Sequence, residues 1–393
     1  MIDTIIIGAG ISGLYLGYRL KQHNIKFVIL EKNNRIGGRI KVEKFHDVNI
    51  NLGAGIFLET HDNLINLLKE LKIEYNTAEA EYTFLNNNSD IDLDKIINTV
   101  EQEINKYYNE TLPNINFTEF MNIYLSEDII KLIKVYCIYD EHWFMNIHTV
   151  MKKYTITDIF GKRERKFCYI KKTWNALLDK LHDFIKDDII FDNTVTSIEK
   201  SNHHEVTTTK QKLVSKNVII CTDGNAKDIK MTGINKLFIY ILKNIIPQSS
   251  LRIYVKHKKY IIKNYLRTEK LLFKLVPISD EVTLVCYNDD VKADLINNLV
   301  KFNKEMLETL VNNTFNINLE ISDVKISYWS NAVNYIDPRV NPDLLSFYNV
   351  NRGNLYKEHQ FSLVGEFVND YEYGYVENSI DSVNKFVKDI FTK

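Results

Sequence analysis

Ile5-Ile6-Ile7-Gly8-Ala9-Gly10-Ile11-Ser12-Gly13 opens the chain and decides how the rest is read. A β-branched run at residues 4–7 ends in three glycines spaced G-x-G-x-x-G, and residues 11–23 then carry apolar side chains at helical spacing. A strand that turns on glycine into a helix presents free backbone N–H groups and the positive end of the helix dipole at the turn. Gly8 there permits the tight turn, Gly10 lets the backbone approach a pyrophosphate, and Gly13 allows the helix to pack closely on the strand. Ser12 lies within the same turn. A second apolar strand, residues 27–30, ends at Glu31, about twenty residues past the first glycine. A carboxylate at that place accepts hydrogen bonds from both hydroxyls of an adenosine ribose and repels a 2′-phosphate. The pattern predicts a dinucleotide-binding βαβ unit that disfavours NADP.

The rest of the chain sets bounds around this unit. Its 393 residues allow two domains, and 45% hydrophobic with 26% charged residues is the balance of an ordinary globular protein. Fifty basic against 51 acidic residues leave no broad basic face, so nucleic acid is not an expected partner. The basic stretch at residues 256–263 reads as a solvated strand end. Cys137, Cys168, Cys221 and Cys286 are scattered, with neither CxxC pairs nor metal-ligand spacing, which suits a reducing compartment and predicts no metal. The apolar N-terminal run breaks at once into glycines, unlike a signal peptide, and no apolar run nears the roughly 20 residues of a membrane span. The expectation is a soluble, cytoplasmic protein.

Residues 48–52 alternate before Gly53-Ala54-Gly55, and residues 61–71 read as an amphipathic helix. Between residues 76 and 165 glycine is absent until Gly161, and Ile/Leu/Tyr-bearing stretches predict a largely helical insertion. A helix over residues 173–187, capped by Thr173, is followed by short strands, with His203-His204 in an exposed polar turn. Strand-rich sequence over 251–287, a helix over 294–312, a strand at 324–329, a strand at 361–364 and a closing helix over 375–391 complete the chain. The predicted class is α/β: a Rossmann-like dinucleotide-binding domain (residues 1–75, 170–250 and 340–393) with a mixed sheet-plus-helix substrate domain (residues 76–169 and 251–339).

The FAD expectation rests on residues 31–39. Glu31-Lys32-Asn33-Asn34-Arg35-Ile36-Gly37-Gly38-Arg39 resembles the E-x-x-x-R-x-G-G-R stretch of the flavin-containing amine oxidase family, which includes monoamine, polyamine and L-amino-acid oxidases. The resemblance implies that Lys32, Gly38 and Arg39 belong to the cofactor site, Arg39 helping to neutralise the pyrophosphate, and that Gly53 and Ala54 run beside the isoalloxazine. Residues 194–198 and 216–221 look like the family's adenine-side strand pair, implying a backbone contact from Val195; the usual Ala-x-Pro is replaced by Cys221-Thr222-Asp223. Leu363-Val364-Gly365-Glu366 and Gly374-Tyr375-Val376 resemble the closing flavin motif. There Gly365 and Glu366 would hold the ribityl or phosphate region, and a helix starting near Tyr375 and Val376 would aim its N-terminus at the flavin N1–C2=O edge. The resemblance covers about half the chain, in three pieces, and implies that the Rossmann-like domain is an FAD-binding domain of the GR2 type.

It also implies the catalytic expectations. Tyr375 takes the place of one aromatic substrate wall, and Trp329 or Tyr335 that of the other. The W-x-x-A-x-x-Y pattern of the latter pair is similar to protoporphyrinogen-oxidase-like and desaturase-like proteins as well. Arg252 falls where many members carry a lysine near flavin N5, with Lys256 and Lys258 as alternatives; arginine stays protonated and cannot serve as a tunable base. Without a cysteine before an aromatic in the attachment context, FAD is expected to be non-covalent. The implied activity is hydride transfer from an amine C–H to flavin N5, with reoxidation by oxygen or another acceptor. The alternatives are a desaturase- or protoporphyrinogen-oxidase-like enzyme on an apolar substrate, a UDP-galactopyranose-mutase-like enzyme, and a catalytically silent flavin-binding protein.

Overall fold

The computed structural model describes residues 1–79, 82–85, 93–136, 143–153, 166–258, 265–268, 270–300, 303–341, 343–369 and 375–391. Ile5 and Ile6 point to opposite faces of their strand and both are fully buried, because the sheet they build is covered on both sides. Ile2–Ile7 pairs in parallel with Phe27–Leu30 on one side and with Lys212–Ile220 on the other. The eight-stranded sheet runs Lys230–Thr232, Val195–Lys200, His204–Thr208, Lys212–Ile220, Ile2–Ile7, Phe27–Leu30, Ile189–Ile190, with Phe361–Leu363 also pairing on Lys212–Ile220. One face packs Leu14, Leu16, Leu178, Leu181, Val383 and Phe386 from three helices, Ile11–Gln22, Asn175–Ile185 and Val376–Phe391. The other face packs Phe238, Ile241 and Tyr348 from Lys236–Lys243 and Leu344–His359.

A second, six-stranded sheet is ordered Ile321–Ile336, Ile245–His257, Val282–Asp289, Lys274–Pro277, Tyr265–Arg267, Tyr82–Phe84. Helices Asp290–Val300 and Lys304–Phe315 cover one of its faces through Ile296, Val300, Leu307 and Val311. The helical insertion contributes Leu93–Tyr107, Phe117–Tyr124, Glu127–Tyr136 and Ile147–Lys153, which share a core of their own. Its Phe117 helix starts on a reciprocal capping box between Asn116 and Glu119. Among the described residues no helix is long and apolar enough to cross a membrane.

Four local expectations differ from the structure. The helix expected over 294–312 is two helices, the second capped by Asn303, whose Oδ1 accepts from the Met306 N–H at 3.0 Å. The cap side chain supplies a partner that continuation of the first helix would otherwise have provided. Thr173 is not the N-cap of the next helix; that place is Trp174, and Thr173 Oγ1 accepts from the Asn175 N–H at 3.2 Å. The strand expected at 324–329 runs the full length of Ile321–Ile336. His204 is fully buried rather than exposed: it starts a strand that places its ring toward Phe361, with Nδ1 2.9 Å from the Lys216 carbonyl.

Burial, and then the charge of Lys200, push the His204 pKa down to about 4. An unfolded imidazole takes up its proton near pH 6.5, so between these values the unfolded chain binds the proton and the folded site refuses it. Stability contributed by the neutral form is complete above pH 6.5 and falls toward pH 4, by at most about 1.4 kcal/mol per pH unit. His204→Phe is expected to flatten this acid limb, read as the difference in urea midpoint between pH 7 and pH 5 for variant and parent.

Candidate active site

The site begins where the first helix meets the glycine turn. Gly10 precedes Ile11–Gln22 without any side-chain cap, so the first-turn N–H groups stay available to an anion. A Cβ on Gly13 would lie 1.9 Å from the Gly8 carbonyl oxygen, so helix and strand approach only because that residue has no side chain. The Gly37-Gly38 segment lies on this turn, the Gly37 N–H donating to the Ala9 carbonyl at 2.8 Å. Arg35 holds it from outside, donating to the Gly38 carbonyl at 2.8 Å.

Glu31 is buried with both carboxylate oxygens engaged. Oε2 accepts from the Ala9 N–H at 2.8 Å, and Oε1 accepts from the Asn33 N–H and side-chain amide at 2.9 and 2.8 Å. The turn that would carry the phosphates therefore also aims the carboxylate. Val195 begins a strand beside this corner, where the Asn193 N–H donates to the Glu31 carbonyl at 2.9 Å.

Arg39 and Glu366 join three distant segments. Arg39 Nη2 lies 2.6 Å from Glu366 Oε2, and its Nη1 donates to the Ala332 carbonyl at 2.7 Å. Glu366 Oε1 accepts from the Asn334 N–H at 3.1 Å. Burial opposes the Arg39 charge, yet Glu366 and then Asp223 outweigh it and hold the guanidinium pKa above its ordinary value. The adjoining glycine segment is equally close: a Cβ on Gly53 would lie 1.8 Å from the Arg39 carbonyl oxygen. From the second sheet, Arg252 and Tyr254 donate to the Asn51 carbonyl at 2.9 and 2.6 Å. Ser327 and Trp329 donate to the Leu52 carbonyl at 2.9 and 2.5 Å.

These contacts enclose a cleft of about 260 Å³. Glu31, Lys32 and Asn33 line one end; Gly8, Gly10, Ser12, Gly38 and Arg39 line the middle, with Glu366 beside them. Gly53, Ala54, Arg252, Trp329, Tyr375 and Val376 meet at the far end. Gly13 and Gly365 stand behind it: the Gly365 N–H donates to Ser382 Oγ at 3.0 Å, and a Cβ on it would touch Ser12 Oγ at 3.4 Å. Gly374 lies outside the described residues. Val195 does not line the cleft, and neither does Tyr335. Tyr335 pairs with Ile246 at the other end of its strand and packs into the helical insertion. Burial there pushes its phenol pKa up. The candidacy of Tyr335 as an aromatic wall is corrected, since six residues along a bulged strand carry it away from Trp329. Lys256 and Lys258 pair with Glu281 and Glu320 at 3.7 and 2.6 Å and lie off the cleft, which leaves Arg252 facing it.

Two residues escape sequence reasoning. His61 is buried with its ring centroid 4.8 Å from that of Tyr375, and burial pushes its pKa down to about 4. Glu377 accepts from the Asn63 N–H at 3.0 Å, the Asn63 amide at 2.7 Å and the Leu64 N–H at 2.7 Å, capping Asp62–Glu70 from the closing helix. No local pattern signals a cap donated from the far end of the chain.

A family model for an NAD(P)-binding Rossmann-like domain matches residues 6–71. "Amine oxidase [flavin-containing] A" of Sus scrofa is 33% identical over 75 residues, 19% of this chain and 14% of the relative. The 1-hydroxycarotenoid 3,4-desaturase of Flavobacterium sp. is 33% identical over 78 residues, 19% of this chain and 16% of the relative. The sequence match thus spans about a seventh of these curated relatives. Across the whole chain, a putrescine oxidase redesigned in cofactor binding superposes with a TM-score of 0.80 at 13% identity, covering 100% of this chain and 99% of that one. A fatty acid isomerase from P. acnes superposes at 0.72 and 13% identity over 100% and 99% of the two chains.

Fold and cleft together define a Rossmann-type protein with a second sheet closing over the cleft. More narrowly, the chain has the fold of putrescine oxidase, and over 75 residues it is similar in sequence to a flavin-containing amine oxidase. Gly13→Ala is expected to force the first helix off its strand and to abolish flavin retention, measured as the ratio of visible flavin absorbance to protein absorbance. Arg39→Met, which strands the buried Glu366, is expected to cost about 3 kcal/mol of stability by denaturant titration.

Proposed function

We propose that this chain is an FAD-dependent oxidoreductase that oxidises an amine at its C–H bond, with oxygen or another acceptor taking the electrons onward. The observation that carries this reading is the single cleft running from the Glu31 carboxylate, past an open helix N-terminus, to the aromatic side chains of Trp329 and Tyr375. FAD bound there supplies a hydride acceptor at N5.

The residues fit such a group. Glu31 is pre-aimed for the adenosine ribose, and the helix N-terminus with Gly10 answers the pyrophosphate. Arg39 adds positive charge while remaining tied to Glu366. Gly53 and Ala54 offer backbone to the isoalloxazine, and the start of Val376–Phe391 offers its dipole to the N1–C2=O edge. Trp329, held by the Leu52 carbonyl, and Tyr375, against His61, form two walls that exclude water from a neutral amine. Cys221 is the cysteine lining the cleft among the described residues, and burial pushes its thiol pKa far up, away from reactive thiolate; FAD is accordingly read as non-covalent. Arg252, always protonated, stands where a neutral lysine would manage a proton.

The absence of a lysine there, and not the charge of Arg252, favours a second reading, a desaturase- or porphyrinogen-oxidase-like enzyme on an apolar substrate. The two are separated by anaerobic mixing of purified holoprotein with monoamines, diamines, amino acids, polyenes and porphyrinogens. Bleaching of the flavin absorbance by at least one amine and by no polyene or porphyrinogen is expected. Bleaching by the apolar compounds alone would overturn the amine reading, and bleaching by none would leave a silent flavin-binding protein. A colourless protein that takes up no FAD would sink the cofactor assignment itself.

A further inference from the structure

We propose that Arg252 is an anion site at the substrate end of the cleft, and that the substrate carries a carboxylate which this guanidinium binds. The inference rests on the FAD-oxidoreductase reading and narrows its substrate class.

Strand register builds the wall that faces the Gly53 segment. On the strand Ile245–His257, alternate residues Gln248, Ser250 and Arg252 share one face. Across the ladder, Ser250 pairs with Asp289 and with Trp329, and Arg252 pairs with Tyr287. Ser250, Arg252, Tyr287, Asp289 and Trp329 all line the cleft. This wall is polar and charged, which is the wrong lining for a polyene or a fatty chain and the right one for a small polar molecule.

Within it the Arg252 charge is incompletely answered. Arg39, in the same cleft, has Glu366 at 2.6 Å. Arg252 has the Asn51 carbonyl on Nη1 and the face of Tyr287, 4.4 Å from its ring centroid, and among the described residues it forms no ion pair with a carboxylate. Burial opposes the guanidinium charge, but Tyr287, then Tyr254, and last Asp289, its diagonal cross-strand neighbour, outweigh it and hold the pKa above its ordinary value. A guanidinium offers five donors in a planar fork that matches a carboxylate. A cation enclosed with spare donors and no paired anion is a receptor for one.

The test is calorimetric titration of the holoprotein with benzoate and with benzamide, matched in shape and differing in charge. Benzoate is expected to bind at least about tenfold more tightly than benzamide, the scale of one charge-assisted hydrogen bond. Arg252→Met should erase that ratio by weakening benzoate alone, and Arg252→Lys should restore part of it. Flavin occupancy is read in parallel from visible absorbance. Equal binding of the two probes, or an unchanged benzoate affinity in either variant, overturns the anion site, as does loss of flavin with the benzoate preference intact, which would make Arg252 a cofactor residue. A protein without flavin fails the functional reading, yet the benzoate preference and its loss in the variants would still decide the anion site. If Arg252→Met does not fold, as read by circular dichroism, the parent ratio and the lysine variant decide.

Discussion

The ion pair between Arg39 and Glu366 is the constraint on which the rest of the molecule depends. It is formed by residues 327 positions apart, and the same two side chains also hold the backbone at Ala332 and Asn334. Three separate stretches of chain meet there: the loop after the second strand, the long strand of the other sheet, and the turn before the closing helix. A carboxylate this deeply enclosed is tolerable only with its cation in place. The glycine segments on either side add distance limits that no side chain could satisfy, and the cleft is the space left between them.

Most of this was legible where chemistry and local pattern coincide. The run from Ile5 to Gly13 specifies strand, turn and helix by composition alone, and the terminal Glu31 falls where the turn can aim it. The parallel central strands were readable because burial on both faces leaves them continuously apolar. The closing helix was readable because residues 376–391 carry a strong amphipathic period.

What stayed hidden depends on contacts between distant residues. His204 sits in a polar-looking stretch, and only pairing with Lys212–Ile220 puts it inside. The helix Leu344–His359 buries few residues, one of them Arg352, whose partner Asp389 lies 3.1 Å away on another helix; a buried cation erases the apolar stripe by which a helix is recognised. Tyr335 and Trp329 share a motif in sequence, yet a bulge and six residues of strand put Tyr335 in the core of the helical insertion and leave Trp329 on the cleft. Register could not be read before the partner strands were known, and register is what puts Arg252 in the cleft.

The seam between the two sheets has a mechanical consequence. Two successive carbonyls, at Asn51 and Leu52, take four donors from the opposite sheet. A slide of an ångström between the sheets would strain all four together, since hydrogen bonds weaken steeply with length and angle. The two halves of the cleft are thus riveted rather than hinged, and the geometry between the glycine segment and the wall of Arg252 and Trp329 is set at folding. Whatever admits a ligand to this molecule must move in the surrounding helices and loops, leaving that seam shut.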